Sequence, residues 1–590
     1  MQKIISLVAV GLTMLIMNSS CQMPANNSNI NSNIPDRAWW KEAVVYQIYP
    51  RSFKDSDGDG IGDLQGIISK LDYIKSLGID IVWLNPVYAS PNDDNGYDIS
   101  DYQDIMKEFG TMEDFDNLLK GMHDRGLKLV MDLVVNHCSS EHEWFRQARS
   151  SRDNPYREYF HWWPAEKGKP AQRYSFFDVN NDAWKYDSLT DSYYLHYFSV
   201  KQPDLNWENP KVREEIFKMM RFWFDKGVDG FRMDVIPFIS KDTTFPELPA
   251  EYNGDMIGYY ANGPHLHEYL QEMNREVLSK YDIMTVAEGA GVTYREALDF
   301  VDPDRHELNM AYHFDGMNIG YLPGQFKVMN PEGYSLVEFK KVYSLWDSVF
   351  AEKGWGTIYL GNHDQPRMVT RWGNDSPEYR ELSSKMLSTF LLTMGGTPYY
   401  YFGDELGMKN IKFDHIEDYR DIESINMYQQ VLNNNGDTKA FIEAQKISAR
   451  DNGRTPFQWD ASPNAGFTAG IPWLKVNPDY TSVNVEAQEN DPNSVLNYFR
   501  KLVGLRKQYL TLVYGKYELL DKDNPDVYSY RRSLNNESLL VMLNFRDKIS
   551  VANTDIDLSK AEILIHNYLG EFDGKRLRPY EAIVYKLKAE

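Results

Sequence analysis

A chain of 590 residues is too long for one ordinary hydrophobic core and calls for two or three structural units around one large one. Sixty-three basic against 86 acidic residues leave a formal charge of −23, which argues against polyanionic partners such as nucleic acid and suits a neutral substrate. Fourteen Trp and 40 Tyr fit sugar stacking, although aromatics in such numbers are first of all core-filling residues.

The first element is an apolar run from Ile4 to Met17 behind Lys3, about 14 residues and too short to span a bilayer. It reads as an export signal over residues 1–20. The run ends in Asn18-Ser19-Ser20-Cys21, which resembles the acylation site of bacterial lipoproteins; a plain secretory signal is the alternative. Cys21 is therefore the candidate lipidation site, and the expected location is the periplasm or cell surface of a bacterium, with a lipid anchor as the only membrane contact. Only Cys21 and Cys138 are present, so no disulfide is expected. The Asn- and Ser-rich stretch that follows has almost no apolar residues to bury, and residues 21–37 form a tether.

From there β-branched and aromatic runs recur: AVVYQIYP (43–50), IDIVWLNP (79–86), LKLVMDLVVNH (127–137), VDGFRMDV (228–235), YDIMTVAEG (281–289), ELNMAYHFD (307–315), WGTIYLGNHD (355–364) and TPYYYFGDE (397–405). Amphipathic helical stretches lie between them, and eight strand-helix units predict a closed (β/α)8 barrel of the α/β class. The runs are apolar through their length and turn polar only at their C-terminal ends, which fits strands buried on both faces. About 90 residues separate the third and fourth strands, too many for a connection. The expected organisation is a barrel from 38–137 and 207–515, an inserted subdomain from 138–206, and an antiparallel β domain from 516–590, where short alternating runs take over.

Hydrolysis of a glycoside needs two carboxyl groups, one ionised and one protonated. Asp234 closes GFRMD, Glu288 closes TVAE and Asp364 sits in GNHD, each at the end of a different predicted strand. Taken singly, an acidic residue there is more often a helix N-cap or a solvated loop residue; three that follow apolar barrel strands point to a site. Arg232 lies two residues before Asp234 and points to the same side, where a guanidinium can keep the carboxylate ionised. His137 and His363 also end strands, placed to hydrogen-bond hydroxyls. Neither belongs to an HExxH or CxxC arrangement, so zinc hydrolysis has little support.

DLVVNH, GFRMD, AEG and NHD, in this order and spacing, resemble the conserved regions of the α-amylase superfamily, glycoside hydrolase family 13, over essentially everything after the tether. QPDLNW (202–207), DNGYDISDY and NGRTPFQWD make the chain most similar to the oligo-1,6-glucosidase and α-glucosidase group. The resemblance implies that Asp234 is the nucleophile, Glu288 the acid/base, and Asp364 a third carboxylate that binds hydroxyls. Arg232, His137 and His363 would line the same sugar subsite. Asp94 and Tyr97 would hold and stack on the terminal glucose, with Arg454 paired to Asp94, closing the pocket behind one sugar and implying exo action. Val235, next to the nucleophile, matches a position where Val accompanies cleavage of α-1,6 bonds. The group commonly reads GEM around the acid where this chain has AEGAG, which implies a different leaving-group subsite.

DSDGDGIGD (55–63) puts Asp55, Asp57, Asp59 and Asp63 at alternate positions with glycines for a tight turn, a spacing that wraps oxygen ligands around a hard cation; a solvated acidic turn is the alternative. In similar α-glucosidases the corresponding loop holds Ca²⁺ or Mg²⁺, with Ile61 offering its carbonyl. The expected ion is structural, and no organic cofactor is implied.

The expected activity is retaining, exo-acting hydrolysis of α-1,6-linked, and also α-1,4-linked, terminal glucose in short oligosaccharides such as isomaltose and panose. Two rivals remain: a transglycosylase of the same fold, sucrose isomerase- or trehalose synthase-like, and a non-catalytic partner like the heavy chains of amino-acid transporters. RWGND (371–375) lacks the charged RLDRD-type loop of sucrose isomerases, and the catalytic carboxylates argue against the heavy-chain reading. The sequence carries no signal for oligomeric state.

Overall fold

The computed structural model describes residues 34, 36–322, 327–570 and 574–588. The chain divides into two units, Met1–Ala38 and Trp39–Glu590. Of the first unit only residues 34 and 36–38 are described, so the expected export signal, Cys21 and nearly all of the tether lie outside the described residues.

In the second unit, eight strands follow the eight apolar runs: β1 (Val45–Ile48), β2 (Ile81–Leu84), β3 (Lys128–Val134), β4 (Gly230–Asp234), β5 (Met284–Gly289), β6 (Met310–His313), β7 (Thr357–Ile358) and β8 (Thr397–Tyr401). They pair in parallel in the order β6-β5-β4-β3-β2-β1-β8-β7, and a parallel bridge from Ala311 to Gly356 joins the two ends into a barrel. Nearly every strand residue is buried, because helices cover the outer face while side chains fill the inside. β7 is the shortest: the run turns to Gly361-Asn362-His363-Asp364 after two paired residues, and its polar half leaves the ladder.

The intervening helices are set by local sequence. In Pro210–Lys226, Asn209 caps the start with a side-chain bond from Lys211 N, Pro210 is accommodated in the first turn, and Gly227 at φ 108° ends it in the left-handed region. Val212, Ile216, Phe217, Met220, Trp223 and Phe224 form its buried stripe at helical spacing. Met112–His123 begins with a capping box between Thr111 and Asp114.

The segment after β3 builds a three-stranded antiparallel sheet from Trp162–Pro164, Trp184–Asp187 and Ser192–Leu195. Its two ends are fastened at the barrel rim, where Leu205 N donates to Asn136 O at 2.9 Å and His137 bridges Asp204. After the barrel, Lys516–Leu520, Val527–Leu534, Glu537–Asn544, Glu562–His566 and Ala582–Lys586 form a five-stranded antiparallel sheet. Cys138 is buried with a free thiol. Among the described residues no helix is long and apolar enough to cross a membrane.

Candidate active site

β4 delivers Arg232 and Asp234 on one face, two residues apart, as strand periodicity requires. β3 delivers Asp132 beside them and β5 delivers Glu288. The Arg232 guanidinium, 1% exposed, joins all three: Nη1 donates to Asp132 Oδ1 at 2.7 Å and Asp234 Oδ1 at 2.6 Å, and Nη2 lies 2.5 Å from Glu288 Oε1. One fork thus holds the two candidate catalytic carboxylates side by side. The other Glu288 oxygen, Oε2, accepts the Val235 main-chain N–H at 2.8 Å.

Burial pushes the Asp234 carboxyl up to about 6 against the opposing pull of Arg232. Burial pushes Glu288 further, to about 7, again opposed by Arg232 and reinforced by the negative charges of Asp234 and Asp364. Burial thus raises both carboxyls, as a site that must keep one proton near neutral pH requires. Asp364 goes the other way. Burial alone would raise it, but the cations Arg450, Arg454 and Lys327 together hold it well below the usual carboxylate range.

His363 and His137 are buried and neutral, His137 brought down to about 3 by desolvation. His363 Nε2 lies 2.7 Å from the Tyr97 hydroxyl, and the two rings stack at 5.3 Å between centroids. His137 has the Asn136 amide nitrogen 3.1 Å from Nδ1 and the Gln202 amide nitrogen 3.3 Å from Nε2. Asp94 is buried, and its carboxylate accepts from Gln202 Nε2 at 3.0 Å.

The expected pairing of Arg454 with Asp94 is not what the structure contains. Arg454 donates to Asp421 at 2.7 Å, to His363 O at 2.8 Å and to Asp364 at 3.2 Å. The cation whose field acts most on Asp94 is Arg450, which also lies 3.3 Å from Asp364. A 3-10 turn over Arg450–Asn452 brings Arg450 and Arg454 to the same acidic group, Asp364 and Asp421, so a motif read at NGRTP alone picked the second arginine of two. In RWGND, Arg371 and Trp372 end the helix Met368–Trp372, and Arg371 is buried.

Sequence reasoning also passed over Asp132, Gln202, Lys327, Asp421 and Glu423. Asp132 and Gln202 were in view, inside LKLVMDLVVNH and QPDLNW, and strand alternation placed Asp132 on the inward face. Asp421 caps the helix Ile422–Asn433 after β8 and Glu423 lies in its first turn, and neither belongs to a motif singled out above; Glu423 accepts from Lys327 at 2.7 Å.

Val235 follows Asp234 at φ 31°, ψ 39°, in the left-handed region, and packs with Phe238, Tyr260, Ala261 and Ala290. Gly289 of AEGAG has no room for a side chain, since a Cβ there would meet Tyr312 O at 2.4 Å.

In the acidic loop, carboxylate oxygens of Asp55, Asp57 and Asp63 lie within 4.8 Å of one another. Asp55 also accepts from Asp57 N, Gly58 N and Gly60 N, and Asp63 caps the helix Leu64–Ser69. The Asp59 carboxylate stands outside this group and accepts from Ile61 N at 2.7 Å. Three converging carboxylates with a tight turn fit a hard divalent cation.

Residues 47–515 match the family model of the alpha amylase catalytic domain. An oligo-1,6-glucosidase of Parageobacillus thermoglucosidasius is 56% identical, covering 94% of this chain and 100% of its own. One from Bacillus cereus is 51% identical over the same shares. Among solved structures, an isomaltulose synthase of Erwinia rhapontici NX5 in complex with sucrose superimposes with a TM-score of 0.90 at 45% identity, covering 94% of this chain and 99% of its own.

Proposed function

The chain belongs to the alpha-amylase family and is a glycoside hydrolase, and from that premise we propose that it is a retaining, exo-acting α-glucosidase that removes terminal α-1,6-linked, and also α-1,4-linked, glucose from short oligosaccharides such as isomaltose and panose. The observation that carries this reading is the Arg232 fork, which holds Asp234 and Glu288 together where burial raises both carboxyls. Asp234 attacks the anomeric carbon as Glu288 protonates the departing oxygen; the C–O bond breaks and a glucosyl ester forms. Glu288, now ionised, takes a proton from water, whose oxygen displaces Asp234. Arg232 keeps the nucleophile ionised and compensates the charge that moves between the two carboxyls.

Asp94, Arg450 and Asp364, with the Tyr97–His363 stack, close the inner end of the pocket around one sugar, which supports action on chain ends. The oligo-1,6-glucosidases at 51% and 56% identity support the linkage. Solved isomaltulose and trehalulose synthases at 44–45% identity favour transglycosylation as the second reading. Incubation with isomaltose, panose, maltose, sucrose and trehalose separates them: glucose release from isomaltose and panose is expected, and isomaltulose or trehalulose formed from sucrose overturns hydrolysis as the main reaction.

The proposal extends to a Ca²⁺ or Mg²⁺ held by Asp55, Asp57 and Asp63, with Asp59 and the Ile61 carbonyl completing the shell on rearrangement. The ion would offset the mutual repulsion of these carboxylates and brace the loop against residues 467–473, to which it already bonds through Asp55 N to Phe467 O and Trp473 N to Gly60 O. Export as a lipoprotein acylated at Cys21, with residues 1–20 removed, remains part of the same proposal.

A further inference from the structure

Among residues of the active site, Val235 has the backbone least suited to its side chain. A β-branched residue at φ 31° is a steric outlier, since left-handed backbone crowds Cβ against the carbonyl oxygen and a second branch worsens it. Such conformations persist only where the surroundings impose them. Here the flanks do so: Asp234 is fixed by pairing in β4 and by Arg232, and the 3-10 turn Ile236–Phe238 begins at the next residue, with Phe238 N bonded to Val235 O at 2.9 Å. The peptide plane between Asp234 and Val235 carries the Val235 N–H, which donates to Glu288 Oε2 at 2.8 Å.

We propose that Val235 is a positioning residue for the acid/base, its main-chain N–H held on Glu288 Oε2 so that this carboxyl can both release and recover a proton in one cycle. The inference rests on the assignment of Glu288 as acid/base. An acid/base must cross its own titration twice per turnover, so its proton affinity has to sit near the working pH. Glu288 is 6% exposed, and burial alone would leave the proton too firmly held for its transfer to the departing oxygen in the first step. Arg232 and the Val235 N–H are the two donors that favour the ionised form, at opposite oxygens. Arg232 also serves Asp132 and Asp234, so it cannot be adjusted for Glu288 alone; the main-chain donor serves no other group.

The test replaces Val235 by its α-hydroxy acid counterpart, which turns the 234–235 amide into an ester and removes the N–H while keeping the side chain. The alkaline limb of kcat/KM for isomaltose is expected to move up by about one pH unit, the scale set by losing one hydrogen bond to a charged group. kcat/KM for isomaltose should fall about tenfold, with a smaller loss for p-nitrophenyl α-glucoside, whose leaving group needs little protonation. Val235→Thr, which retains the N–H and the β-branch, should leave the limb where the wild type has it. An unmoved limb in the ester variant, or equal losses for both substrates, overturns the proposal. Glu288→Gln run alongside keeps the two readings apart: if it fails to discriminate between the two substrates, the acid/base assignment itself fails, whereas discrimination there with an unmoved limb in the ester variant rejects only the role of Val235.

Discussion

Asp234 and Glu288 share one guanidinium, so removing either charge leaves Arg232 with its remaining partners and the barrel intact. Asp234→Asn is therefore expected to abolish turnover of isomaltose with an unchanged circular dichroism spectrum; activity within tenfold of wild type would reject Asp234 as nucleophile. The pH dependence follows from the two raised carboxyls. Hydrolysis needs Asp234 ionised and Glu288 protonated, so kcat/KM should fall below about 6 as Asp234 takes a proton and above about 7 as Glu288 loses one. Glu288→Gln should erase the alkaline limb in the glycosylation step measured with an aryl glucoside. At the leaving-group side, Val235→Ala should shift the isomaltose-to-maltose preference toward maltose by roughly 10 to 200-fold, the discrimination worth ~1 to 3 kcal/mol that a methyl or two can exert. A wild type that prefers maltose, or a ratio indifferent to the substitution, would remove Val235 from linkage selection. The arginine replacement is equally decidable: Arg450→Ala should raise KM for isomaltose well beyond its effect on kcat, because Arg450 balances Asp94 and Asp364 together.

At the scale of elements, the barrel strands were legible because parallel strands covered on both faces leave nearly continuous apolar runs, and the catalytic carboxylates were legible because each ends such a run. Arg450 was not, since a 3-10 turn has too few residues to impose a period, and the choice between two arginines four apart depends on how that turn is packed. Lys327 comes from an irregular segment, and Asp421 and Glu423 open the helix Ile422–Asn433, whose placement beside the site is fixed only by tertiary contact. The Asp55 loop lies between these cases: its alternation was readable, but which carboxylates converge depends on the turn, and Asp59 spends its oxygen on Ile61 N. Chelation should lower Tm more than it lowers kcat, and Asp57→Ala should abolish that sensitivity, because an ion that binds only the native loop stabilises only the native state. Loss of catalysis by chelator in a protein that stays folded would mean that the ion takes part in the chemistry.

For the whole molecule, the sheet closes on itself through the bridge from Ala311 to Gly356, so the catalytic groups stand at one end of a cylinder and the strand beginnings at the other. The helix Trp39–Glu42 leads directly into β1 and belongs to the second end. There Trp39 lies under the Lys128 ammonium, 4.4 Å from the ring centre, and Trp40 O accepts from Thr397, the first residue of β8. Trp39 therefore lies at the end of the cylinder away from the catalytic carboxylates. A bead or a surface coupled at that end should leave entry of a trisaccharide unhindered. Protein immobilised through a residue of that end should hydrolyse panose with kcat/KM within about twofold of the free enzyme, with the diffusional ceiling far above typical glycosidase rates; a large loss on coupling would place the substrate's approach at the strand beginnings instead.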